Sequence, residues 1–386
     1  MSLNTAKALA LSCLLIVCLW PSSPATADEN GDLYLFGYFQ STFKHEESKD
    51  ANKSSSFLLQ HLNVFLQKEL ASNWTSFVNF EFTNNFSANK NWGTLDIQEA
   101  WVRYRLDNRL NVKLGLQIPI FNNLNEIKNR TPILPYIIRP IAYESSLEEI
   151  VPIDQYVPNR AYVQAYGFVP YQGYKLDYAA YVGNSPNINS DPNEGQTGVD
   201  TTDTFLLGGR VGFRRDELKF GFSASYDRSN LLYEIIQEQF GEIDAGRELG
   251  RLRLGADLSY RSQGLFLEGE IITVQFDNEG PEVDLDLAFY YATAGFDIDS
   301  RWTAYVSYWK TQEEFFLDLF SAQTFNPLHV DQRFELEIPT VGLACRINDR
   351  ITVKAQWARV MGELEGEGFE LFTASHYVGV AVSAFF

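Results

Sequence analysis

Histidine and cysteine, the side chains most often used as metal ligands and nucleophiles, are scarce here, with four His and three Cys among 386 residues. His61 and His376 stand alone, and Cys345 falls among the apolar positions of its segment. Gly-x-Ser-x-Gly, His-Glu-x-x-His and phosphate-cradling loops are all missing, so catalysis, a bound metal and a cofactor are not expected. Asn187, Asn189, Asp191 and Asn193 before Gly195, and the run Asp277–Gly280, offer oxygen ligands. Neither fits the spacing of a calcium loop, and both read as turns. What does carry chemistry is charge set at every second residue: Glu99, Arg103 and Arg105, then Lys113, Arg210, Arg251, Arg253 and Lys354. In an extended strand such residues share one face. Facing carboxylates across a narrow gap, they would set up a transverse field that orders water and polar solutes.

Strands must position these charges. The segment Leu218–Asp227 has apolar residues at even positions and small or polar ones at odd positions, and Arg251–Tyr260, Trp74–Phe82 and Val112–Ile118 repeat the pattern. Each is a two-faced strand with one apolar face. Phe, Tyr and Trp number 29, 20 and 7 against two Met, a skew that favours strand over helix. The formal charge of −19 and pI near 4.7 exclude a nucleic-acid partner, which needs a basic surface.

Residues 1–27 read as a secretory signal peptide, with Lys7, an apolar run from Ala8 to Trp20, and Ala25-Thr26-Ala27 for cleavage. The run is shorter than the roughly 20 residues that cross a bilayer as a helix. Across 28–386, very short polar joints such as Tyr171-Gln172-Gly173 and Asn348-Asp349-Arg350 alternate with long ones, among them 119–159, 311–334 and 362–374. That rhythm is expected of a transmembrane antiparallel β-barrel of about 16 strands with short periplasmic turns and long extracellular loops, and it is not required by a soluble sandwich. The last four strands are expected at 301–310, 335–347, 351–361 and 375–386. Trp74, Phe213, Tyr260 and Trp302 fall at the periplasmic ends, and Tyr226 and Tyr308 near the outer ends, as interfacial girdles would.

Val378, Val380, Val382 and Ala384 lead in alternation to Phe386, and this ending resembles the signal that bacterial outer-membrane porins show to the barrel-assembly machinery. More narrowly, Gln98–Arg105 followed by Val112–Pro119, with Val341-Gly342-Leu343 and Asn348–Ala355, is similar to segments of phosphate-selective-porin-like proteins. The resemblance implies an outer-membrane channel for passive diffusion of ions and small hydrophilic solutes, and a homotrimer. It also implies that the long third loop, 119–159, folds inward as an eyelet. The dense ladder of Arg and Lys that phosphate channels carry is not present.

Residues 133–138 and 150–153 are too apolar for a freely solvated excursion, which suits a docked loop. Its Arg130, Arg139, Glu144 and Glu148 either face the wall's arginines across the gap or pair with one another and pin the loop. Remaining acidity gathers in other loops, at Glu363, Glu365, Glu367 and Glu370, at Glu234, Glu238, Glu242 and Glu248, and at Glu313, Glu314 and Asp318. These form either a solvated rim or a surface bridged by divalent cations to lipopolysaccharide. The rival functional reading is a structural or adhesive barrel with a loop-blocked lumen.

Overall fold

The computed structural model describes residues 32–48, 53–85, 93–128, 134–147, 153–185, 205–229, 249–277, 283–321, 326–366 and 369–386. They form sixteen strands: β1 (Leu33–Ser48), β2 (Ser54–Ala71), β3 (Trp74–Asn85), β4 (Thr94–Arg105), β5 (Asn111–Gln117), β6 (Ala161–Tyr171), β7 (Tyr174–Asn184) and β8 (Phe205–Arg215) in the first half. The second half holds β9 (Leu218–Ser229), β10 (Leu249–Ser262), β11 (Leu265–Asp277), β12 (Val283–Asp297), β13 (Trp302–Ser321), β14 (Asn326–Arg346), β15 (Ile351–Gly366) and β16 (Phe369–Phe385). Each strand pairs antiparallel with its sequence neighbours, and β1 pairs with β16 from Tyr38↔Phe385 to Ser48↔Ser375, which closes the barrel. The expected all-β class and strand number are present. No helix among the described residues is long and apolar enough to cross a membrane. Closure removes the free edge that lipid would leave without hydrogen-bond partners.

The tight joints follow turn chemistry. Gln172-Gly173 has φ of 47° and 82°, and Gln263-Gly264 has 49° and 84°. Two successive positive φ values match the right-handed twist of the flanking strands, and glycine takes the second at little cost. At the β1–β16 seam, Gly37 N donates to Phe386 O and Phe386 N to Gly37 O, at 3.1 and 3.0 Å. A Cβ on Gly37 would stand 2.3 Å from Asn63 O and 2.7 Å from the Phe386 ring.

The late joints differ from expectation. Segments 311–334 and 362–374, read above as loops, are largely paired strand: Thr311↔Leu336 continues to Ser321↔Asn326, and Gly362↔Thr373 to Gly366↔Phe369. The reason lies in a change of polarity along the hairpin. Lower down, Val306 and Tyr308 face outward and Tyr305 and Ser307 inward. Higher up, Lys310 sits on the outward face with Glu335 and Glu337, at 2.7 and 3.0 Å, while Trp309, Leu336 and Ile338 are buried inside. Beyond the lipid an outward face no longer has to be apolar, so strand continues where hydropathy suggests a loop. Inside, Ile272, Val274, Leu287, Phe289, Tyr291 and Trp309 join one apolar cluster with residues of the segment between β5 and β6.

Candidate functional site: the segment between β5 and β6 and the wall it meets

The polar half of the wall begins with a register shift. The β1–β2 pairing slips between Gln40 and Ser41, opposite Gln60 and His61. Both Gln60 and His61 are buried, as are Gln40 and Thr42 across from them. A bulge of this kind turns two consecutive side chains to the same side and reverses the parity of the rest of the strand. Gln60 Nε2 donates to Ile137 O at 3.1 Å, and His61 Nε2 lies 3.0 Å from Glu144 Oε1.

The segment itself has little regular structure: α1 (Leu124–Ile127), two 3-10 turns at Ile141–Tyr143 and Ser145–Leu147, and α2 (Ile153–Tyr156). Its backbone polar groups therefore need partners elsewhere, and inward side chains supply them. Gln356 Oε1 accepts from the Ile137 and Ile138 N–H groups at 2.7 and 3.0 Å, while its Nε2 donates to Ile138 O at 3.2 Å. Lys354 Nζ donates to Tyr136 O at 3.0 Å and to Gln40 Oε1 at 3.2 Å. Glu270 Oε1 accepts from Asn123 and Leu124 N–H at 3.1 and 2.7 Å. Three tyrosines complete the attachment, as Tyr136 donates to Glu268, Tyr143 to Glu270, and Tyr156 to Glu313 at 2.8 Å. Burial, and then the adjoining carboxylates, push these phenols well above their usual range, so they remain donors.

Arg139 and Glu144 are both fully buried and bind one another. Arg139 Nε and backbone N donate to Glu144 Oε2 at 3.1 and 2.8 Å, and its Nη2 to Ser145 Oγ at 3.2 Å. Burial acts to raise the Glu144 pKa, yet Arg139 first and His61 second outweigh it and hold the carboxyl well below the usual range. On the wall, Arg210 pairs with Asp257 at 2.7 Å, while Arg251 and Arg253 share Asp227 at 2.8 and 2.9 Å. Arg253 Nε also donates to Gln155 O at 3.1 Å. Thus Arg139 of the segment is matched within the segment, and Arg210, Arg251 and Arg253 of the wall within the wall, while His61, Lys354, Glu268, Glu270 and Glu313 reach from the wall to the segment.

The remaining expected residues fall in three places. Glu99, Arg103 and Lys113 stand on the inward face of β4 and β5: Glu99 Oε1 accepts from Trp101 Nε1 at 3.0 Å, and Arg103 Nη2 donates to Thr75 Oγ1 at 3.2 Å. Arg105 is at the periplasmic end of β4, exposed and donating to Asn108 Oδ1, away from the segment. Arg130 and Glu148 lie outside the described residues, as do residues 1–27, Asn187–Gly195, Asn278–Gly280 and the acidic run Glu234–Glu248. Val378, Val380 and Val382 face outward, with Ala384 partly covered and Phe386 exposed at the seam. No group of three His, Cys, Asp or Glu stands together as a metal site among the described residues.

Sequence reasoning passed over Gln40, Gln60, Gln356 and the three tyrosines because neutral side chains carry no charge pattern. A signal did exist: Gln60 and His61 are adjacent polar residues inside the apolar run of β2, which strict alternation forbids. Beside the segment, Thr42, Lys44, Glu46, Gln60, Ser146 and Tyr377 help to line a cleft of about 230 Å³.

No family model matches the chain, and no curated protein matches it in sequence. Solved structures do. The anion-selective porin from Comamonas acidovorans superposes with a TM-score of 0.59 at 12% identity over 92% of this chain and 100% of that one. The outer membrane channel DcaP of Acinetobacter baumannii gives 0.59 at 11% identity over 93% and 99%. A trimer form of OmpT, an outer membrane protein of Vibrio cholerae, gives 0.54 at 10% identity over 92% and 99%. The chain therefore has the fold of outer-membrane porins.

Proposed function

We propose that this chain is a passive diffusion porin of a bacterial outer membrane, exported by a cleaved leader, passing ions and small hydrophilic solutes. Segment 119–159 folds into the lumen and narrows it. The observation that carries this reading is the Gln356 clamp on Ile137 and Ile138, joined by Gln60, which donates to the Ile137 carbonyl. Inward side chains of β2 and β15 thereby hold one stretch of chain between them, and Glu268, Glu270 and Glu313 hold it from β11 and β13. Matched charges at Arg139–Glu144, Arg210–Asp257 and Arg251/Arg253–Asp227 leave few cations for a phosphate ladder, so phosphate selectivity is not part of the proposal. Assembly into trimers accords with the OmpT trimer form, and β16 with its outward valines is the element offered to the assembly machinery. Acidic residues at the outer end of β15, such as Glu363 and Glu365, would meet lipopolysaccharide through divalent cations.

Single-channel recording of the refolded chain in a planar bilayer tests the reading. Stepwise currents that grow when 134–147 is replaced by a short Gly/Ser linker are expected. A folded barrel that stays silent until that replacement would instead support a structural barrel with a blocked lumen.

A further inference from the structure

One inward residue from each of five consecutive strands forms a continuous row: Phe65 on β2, Phe77 on β3, Trp101 on β4, Lys113 on β5 and Tyr166 on β6. Phe65 and Phe77 stack with centroids 5.6 Å apart and planes at 27°, and Phe77 and Trp101 at 5.0 Å and 24°. Lys113 Nζ lies 4.6 Å from the Trp101 centroid and 5.4 Å from that of Tyr166. Parity sets their direction, since Phe65, Phe77, Lys113 and Tyr166 share a strand face with buried inward neighbours such as Asn63, Asn79, Asn111 and Gln164, and Trp101 pairs directly with Phe77.

The row differs in its charge from the arginines elsewhere in the interior. Arg139, Arg210, Arg251 and Arg253 each hold a carboxylate. Among the described residues neither Arg103 nor Lys113 has a carboxylate within 4.0 Å, and Arg103 Nε is buried with no acceptor. Arg103 stands 6.0 Å from the Trp101 ring. Glu99, the acid on this stretch, receives the indole N–H and fixes the ring. Because the stacked rings cover one another's faces, they offer edges to the lumen. Ring edges carry the positive part of the aromatic quadrupole and favour the face of another ring in a T-shaped contact.

We propose that this row is a binding track for small aromatic carboxylates, the solute ring lying against the edges of Phe77 and Trp101 and its carboxylate reaching Arg103 and Lys113. Neutral sugars fit less well, since they stack on open ring faces and leave two cations unmatched. The track names a solute class and so rests on the porin reading, but its binding is measurable without transport.

Benzoate, acetate and benzyl alcohol are to be compared in two measurements, interruption of single-channel current and calorimetric titration of the detergent-folded barrel. Benzoate is expected to interrupt the current and to bind, with the other two at least tenfold weaker. Lys113→Gln is expected to weaken benzoate about tenfold, and Trp101→Leu by a similar factor. Trp101→Phe, which keeps a ring in the row, should stay within about threefold and serves if the leucine variant does not fold. Binding of benzoate to a silent barrel would uphold the track while overturning passage. An open channel that binds benzoate no better than acetate or benzyl alcohol would overturn the track and leave the porin intact.

Discussion

Glu144 shows how one carboxylate serves two partners. It is fully buried between Arg139 and His61, and its lowered pKa means that it is charged when the barrel is folded. A carboxyl whose folded pKa lies below its unfolded value adds stability above the ordinary value of 4.5, and that stability is lost as pH falls through the folded value. The contribution of the Arg139–Glu144 pair to the urea midpoint should accordingly persist down past pH 4.5 and be lost only in stronger acid. In Glu144→Gln the Arg139 charge is left buried without its counter-ion, at a cost of roughly 3–5 kcal/mol. A drop in the urea midpoint of the variant, with conductance that is already altered at neutral pH, checks this. The paired change Arg251→Ala and Arg253→Ala leaves Asp227 uncompensated on the wall. Reversal potential under a salt gradient should then shift toward cation preference.

At the scale of elements, the fit between β2, β15 and the segment depends on neutral amides. Gln356 makes three hydrogen bonds to Ile137 and Ile138. Truncation to Ala leaves buried N–H groups unsatisfied, costing about 1–3 kcal/mol each. Gln356→Ala is therefore expected to give noisier, larger single-channel currents and faster proteolysis within 134–147, with the barrel itself still folded. Much of each strand is legible from alternation alone, as in β9, where Gly221, Ser223, Ser225 and Asp227 are inward and Phe222, Ala224 and Tyr226 outward. The bulge at Gln60-His61 is not legible that way, because a single extra residue reverses the face and local hydropathy does not say which pairing partner slips. Nor is the extension of β13 and β14, where Lys310, Glu335 and Glu337 form outward ion pairs that only cross-strand register brings together.

For the whole molecule, the outward face decides where lipid is met. Val306, Val341, Val380 and Leu254 are among its exposed apolar residues, while Ser307 and Thr340 on the opposite face are buried. An arginine at Val306 would meet lipid near mid-bilayer, at a cost of roughly 2–4 kcal/mol. Urea unfolding of Val306→Arg in lipid vesicles should show that loss, and Ser307→Thr on the inner face should show little. The interior is divided as well. Facing β11 to β14 it is an apolar core containing Tyr143, Tyr156, Phe289 and Trp309, and facing β8 to β10 it is a field of arginine–aspartate pairs. Such a division gives the segment a fixed seat on one side and leaves the row of Phe77, Trp101 and Lys113 on another arc of the wall.

By itself the sequence determined the class of architecture. Period-two hydropathy, alternating joint lengths and the lack of any catalytic constellation all depend on residue type and spacing along the chain, which are local quantities. Parity along a strand is local too, and it puts Arg210, Arg251 and Arg253 on the face that the structure buries. Only the tertiary structure decided which of those charges are matched. Pairing of Arg210 with Asp257, of Glu144 with His61, and of Tyr143 with Glu270 joins residues far apart in the chain, whose meeting depends on register and bulges summed around a closed ring. A one-residue slip anywhere in that ring would change every such partnership while leaving the hydropathy pattern untouched.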